Sequence, residues 1–191
     1  MSKEYHIQNR FEYFLNAIHY CIWLYEIKFG ESAGRIVDVL FAPIPKYLFT
    51  KAYREKYYER LSKEQKKKES FFRNRENGYY IGWANHWFGY FYSSYFGFFS
   101  FLLMGFIFKA GGDLHNIVNL ILVAIPVELG YIPAYRAVFA NNRYLQYFKQ
   151  FEKEDEQWHR KWKRITCFFC IGSVVTFFSG VGAAFFILIV L

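Results

Sequence analysis

The chain has 191 residues and a formal net charge of +8, and its 24 Phe, 17 Tyr and 5 Trp make about a quarter of it aromatic. That content excludes a disordered chain and exceeds what the core of an ordinary soluble domain of this length requires. Residues 77–108 and 165–191 contain no Asp, Glu, Lys or Arg, whereas residues 46–76 contain 16 of them. Charge-free runs of 32 and 27 residues have the length of membrane spans, which makes an all-α integral membrane bundle with about three transmembrane helices the expected class.

Residues 1–45 read as an amphipathic membrane-interface region. The start, Met-Ser-Lys-Glu-Tyr-His, has no basic segment followed by an apolar run and a cleavage site, and Ser2 stands where N-myristoylation requires glycine. Neither a removable signal nor a lipid anchor is therefore expected. Residues 13–25 are free of charge, but 13 residues at about 1.5 Å each cover only about 20 Å, too little to cross a bilayer. Phe11, Phe14, Leu15, Ile18, Ile22, Tyr25 and Phe29 recur at helical spacing, with Arg10, Glu12, Asn16 and Glu26 elsewhere, which predicts a helix lying on the membrane surface. A second piece, Gly34 to Leu40, stops before a rigid corner at Pro43 and Pro45.

Residues 46–76 predict a basic cytoplasmic helix. Lys51 with Glu55, Glu59 with Lys63 and Glu64 with Lys68 are each four apart, which supports a solvent-exposed helix. Lys66, Lys67, Lys68, Arg73 and Arg75 form its basic patch, next to Phe71 and Phe72. The favoured ligand is the anionic headgroup of a membrane lipid, and nucleic acid is the disfavoured alternative.

Residues 77–135 predict a transmembrane hairpin. Tyr79, Tyr80, Trp83 and Trp87 suit the headgroup level, which leaves about residues 86–108 for the first span. A tight loop follows at Lys109–Asp113, and the second span, residues 114–135, is interrupted only by Glu128. Pro126 and Pro133 predict a kinked or partly unwound second half. Glu128 is expected about 10 Å inside the cytoplasmic end, facing protein or water, because a carboxylate in hydrocarbon is costly. Two roles stand open for it: a proton or cation site on a pathway, or an interhelical partner such as Arg136.

Residues 136–164 predict a cytoplasmic amphipathic helix that continues the second span, packs on the 51–76 helix and turns near Glu154–Glu156. Tyr144, Phe148, Phe151, Trp158 and Trp162 form its stripe, and Arg160, Lys161, Lys163 and Arg164 extend the lipid- or partner-binding basic patch. Residues 165–191 predict the C-terminal transmembrane helix. Gly172, Thr176, Gly180 and Ala184 repeat at every fourth position there, as Gly89, Ser93, Gly97 and Gly105 do in the first span, apart from Phe101. Such ridges let helices approach closely, either within one chain or between copies in a homo-oligomer.

Lys and Arg number 11 in residues 46–76, 8 in residues 136–164 and one near the hairpin loop, so the two rich segments are expected in the cytoplasm. Cys21, Cys167 and Cys170 make no disulfide framework, and neither Cys167-Phe-Phe-Cys170 nor the spacing of Glu152, Asp155 and His159 argues for a metal. No catalytic or cofactor motif is present, so no enzyme, no cofactor and no metal are expected. In layout alone the chain is similar to the small multi-span proteins that accompany bacterial defence systems. The expected function is a self-associating, non-enzymatic protein of the bacterial inner membrane with pore or membrane-perturbing activity. The alternative is a membrane-anchored subunit that recruits a cytosolic partner through its basic helices.

Overall fold

A computed structural model describes residues 10–41 and 50–190, and every regular element among them is helical. In chain order these are α1 (Arg10–Phe41), α2 (Lys51–Phe72), α3 (Tyr79–Lys109), α4 (Ile117–Val138), a single 3-10 turn at Ala140–Asn142, α5 (Arg143–Phe151) and α6 (Glu156–Val190). The helices that begin at Tyr79, Ile117 and Glu156 are long and apolar enough to cross a membrane. The chain start and the expected corner at Pro43 and Pro45 lie outside the described residues.

The described residues form two compact units, one of residues 22–85 and one of residues 10–21 with 86–190. In the first, α1 continues through Gly30 and Gly34 to Phe41, where two separate pieces were expected. The described side chains of α2 are exposed apart from Tyr57, Leu61 and Phe72, and the helix carries the expected Glu59–Lys63 pair at 2.8 Å. The turn from α2 to α3 is closed by Asn74, whose Oδ1 accepts from the backbone N–H groups of Glu76 (2.8 Å) and Asn77 (3.2 Å). A Cβ on Gly78 would stand 2.1 Å from the Asn74 carbonyl oxygen, so only glycine fits there. Phe72 then packs on Tyr79 and Tyr80 at 5.2 and 5.7 Å between ring centroids.

In the second unit α3 is the middle helix, touching α4 on one side and α6 on another. Tyr92 and Phe96 meet Tyr131 and Gly130 of α4, while Tyr95 and Phe101 meet Phe169 and Phe177 of α6. Of the kinked or partly unwound second half that was expected, the unwinding is absent: α4 runs as one helix through Pro126 and Pro133. Each proline removes one i→i−4 bond, and the bonds on either side keep the helix continuous. The interruption comes instead at Asn141 and Asn142, both left-handed at φ 56° and 53°. Asparagine tolerates that region better than other side chains, so the tandem pair breaks what was expected to be one long helix. The expected turn near Glu154–Glu156 is present, between Phe151 and Glu156.

Candidate functional site

Four groups of residues carry the polar chemistry of the fold. The first is a buried core built from the N-terminal half of α1, α5 and the start of α6. Leu15, Asn16, Ala17, Ile18, His19, Tyr20 and Cys21 are consecutive and all buried, so this stretch of α1 is enclosed by protein on every side. The aromatic stripe supplies much of the enclosure. Tyr20 packs on Phe148 and Phe151 at 5.0 and 5.7 Å, and Tyr13 on Phe151 and Trp162 at 5.2 and 5.7 Å. The one-sided pattern read from the sequence holds for Leu15, Ile18 and Ile22, which are buried, but Phe11, Phe14, Tyr25 and Phe29 are exposed.

Inside this core lie two polar residues that the sequence reading did not single out as functional. The fully buried His19 ring is surrounded by Phe88, Phe148, Phe139 and Tyr144, with centroids 5.3 to 5.5 Å away. Asn16, expected on the polar side of the helix, is fully buried too, and its Nδ2 donates to the carbonyls of Glu12 (2.8 Å) and Ala137 (3.0 Å). The Ala137 carbonyl belongs to the last turn of α4, which has no helical partner for it, so Asn16 supplies the missing donor. The available signal was that Asn16 and His19 interrupt a charge-free run at helical spacing, which suits an inward polar pair as well as a solvent face. At the rim, Trp158 Nε1–H donates to the Tyr13 hydroxyl oxygen at 2.8 Å, and Arg143 pairs with Glu12 at 3.1 Å. Burial pushes the Cys21 thiol up to about 11, partly offset by the Thr166 hydroxyl and the Lys163 charge. Cys21 is thus an inert packing residue at neutral pH.

The second group is the set of cations. Arg73 is paired with Glu31 of α1 and, at 3.3 Å, with Glu69, while Arg75 lies 5.7 Å over the Trp23 ring. These two members of the expected patch therefore join α1 to the end of α2. Lys67 and Lys68 are exposed, and the side chain of Lys66 lies outside the described ones. On α6 the residues divide by face. Arg160, Lys161 and Arg164 line an open groove with Gln157, Ile165 and Phe168, whereas Lys163 is half-buried on the side of Cys21. Three cations beside the half-buried Ile165 and the exposed Phe168 suit an anionic group carried on an apolar chain.

The third group is formed by the two small-residue ridges, which meet each other. A Cβ on Gly105 would lie 3.1 Å from the Ala184 Cα, and one on Gly180 would lie 2.8 Å from the Phe98 Cα, so α3 and α6 approach backbone to backbone at these points. Gly172 faces the Tyr95 hydroxyl, which donates to the Phe169 carbonyl at 2.7 Å, and Gly97 faces Phe177. Gly89 belongs to a different contact, facing Tyr131 of α4, and Ser93 and Thr176 are half-buried.

The fourth is Glu128. It lies at the midpoint of α4, about 15 Å from either end of that helix. It is exposed, and on a 100°-per-residue wheel it points away from the buried Gly130 and Ala137. Pro126 is half-buried and Pro133 exposed. The position of Glu128 leaves its carboxylate open to water or to another protein rather than to its own chain.

Among the described residues no three His, Cys, Asp or Glu side chains stand together as metal ligands. Asp155 caps α6 by accepting from the Trp158 N–H at 2.7 Å, and His159 rests against Tyr20 and Trp158. Compared with protein-family models, curated proteins and solved structures, the chain matches none.

Proposed function

We propose that the chain is a three-span protein of the bacterial inner membrane that acts by assembly in and at the bilayer, not by catalysis. The observation that carries this is the outward direction of its apolar surface: only 11% of the most apolar stretch of the helix beginning at Ile117 is buried. Ile117, Val118, Leu120, Ile121 and Leu129 of α4, and Phe168, Val175, Phe178, Phe185 and Ile189 of α6, are all exposed. A contiguous apolar surface of that extent needs lipid or protein over it. Arg160, Lys161 and Arg164 stand where α6 changes from charged to apolar, the position at which basic residues meet anionic headgroups. The experiment is alkaline carbonate extraction of membranes from cells producing the full chain. The expected result is retention in the pellet, and release into the supernatant would overturn the proposal.

The exposed position of Glu128 favours the pore-forming version of this function only as an assembly of several chains. The exposure of Lys67, Lys68 and most of α2 favours instead the recruitment of an acidic cytosolic partner. Charge reversal at Lys67 and Lys68 abolishes co-purification of a partner on the second reading and leaves ion leakage from proteoliposomes unaltered on the first.

A further inference from the structure

We propose that the Glu128 face of α4 is a two-fold interface with a second copy of this chain, in which the two Glu128 carboxyls hydrogen-bond to each other. The proposal rests on the membrane reading above and adds the partner and the surface. Glu128 is exposed at the middle of α4, and Ile121, Ile125, Ile132 and Tyr135, all exposed, share its face. The side of α4 used inside the chain is the other one, carrying Gly130, Ala134 and Ala137. A carboxyl at that depth is costly against hydrocarbon, and one pointing away from its own bundle is relieved by a polar contact on another protein.

A second copy fits this requirement in three respects. Copies inserted in the same sense and related by an axis along the membrane normal hold each residue at the depth of its counterpart, so Glu128 meets Glu128. Ile121, Glu128 and Tyr135 are seven apart, with Ala124 between the first two at a three- and a four-residue step, which is the spacing of a helix-pair seam. A single polar residue at the central seam position fixes register, since any slip leaves it against apolar side chains. Finally, two carboxyl groups that share one proton supply a donor and an acceptor to each other, so identical groups complement each other without a basic partner.

The test measures dimerisation of the full chain in lipid bilayers at decreasing protein-to-lipid ratio, by counting labelled subunits. Glu128→Gln retains the association, because a carboxamide also donates and accepts. Glu128→Leu weakens it by about fivefold to thirtyfold, the effect of losing one interhelical polar contact in a membrane. Leucine at an exposed position of an apolar helix favours insertion, so that loss is not a failure to insert. Single cysteines at Ile121 and Ile132, in a background with the native cysteines replaced, crosslink between copies, while cysteines at the exposed but laterally displaced Leu122 and Leu129 do not. Monomers at all ratios, full association of Glu128→Leu, or crosslinking through Leu122 and Leu129 would overturn the interface. If the same preparations resist alkaline carbonate, such a result removes this interface alone; release by carbonate removes the membrane reading with it.

Discussion

At the scale of single residues, close approach decides which positions tolerate change. Gly180 and Gly182 are two apart on α6, yet a Cβ at Gly180 would press to 2.8 Å from the Phe98 backbone, whereas a Cβ at Gly182 meets nothing within 4 Å. The clash at Gly180 is with main chain, so it is relieved only by moving α3 and α6 apart. Gly180→Ala is therefore expected to cost about 1–3 kcal/mol, the usual penalty of overpacking. Gly182→Ala is expected to be neutral or to stabilise by up to about 1 kcal/mol through helix propensity. Thermal unfolding of both variants in one detergent checks the pair, and equal shifts would refute the packing. Asn16 illustrates the opposite case, a polar side chain inside an apolar stretch. It is needed because the last turn of α4 leaves a buried carbonyl without a helical donor.

At the scale of elements, the break between α4 and α5 depends on two residues. Asn141 and Asn142 both occupy the left-handed region, which costs an ordinary L-residue roughly 1–2 kcal/mol and a β-branched one more. Asn141→Val with Asn142→Val is expected to lower stability by at least about 2 kcal/mol, while the double glycine variant holds or gains stability, as unfolding in the same detergent will report. This break also shows what the sequence made legible. The three long apolar helices, the turn before Glu156 and the small ridges of α3 and α6 follow from local composition and spacing, which act within a few turns, whereas the meeting of those ridges within one chain does not. The enclosure of residues 15–21 does not, because a 13-residue apolar stretch is equally suited to a membrane surface and to a protein core. Aromatic rings more than 120 residues away decide between them. The contacts of Arg73 with Glu31 and of Arg75 with Trp23 were illegible for a related reason: their partners lie about 40 to 50 residues earlier in the chain.

At the scale of the whole molecule, the proposed three-span arrangement turns on α4, because α3 and the apolar part of α6 carry no internal charge. α4 holds 11 Ile, Val and Leu residues, each worth about −0.3 to −0.6 kcal/mol on insertion near the helix centre, against about +2.5 to +3.5 kcal/mol for one central charge. The aliphatic side wins by only a few kcal/mol, so a second charge should reverse the outcome. Ile125 is the place to add it, since it is exposed and its replacement leaves the packing of α3 and α6 untouched. With wild-type sequence, a reporter inserted at Gly111, in the loop after α3, is expected outside, and one at Lys153, after α5, inside. In Ile125→Asp the Lys153 reporter should lose its inside signal in a large fraction of molecules, and Glu128→Leu combined with Ile125→Asp should restore it. If the Lys153 reporter stays inside in the single variant, α4 is held by its neighbours and not by its own apolar content. If the two reporters lie on the same side in the wild type, α4 does not span at all and the proposed three-span arrangement fails.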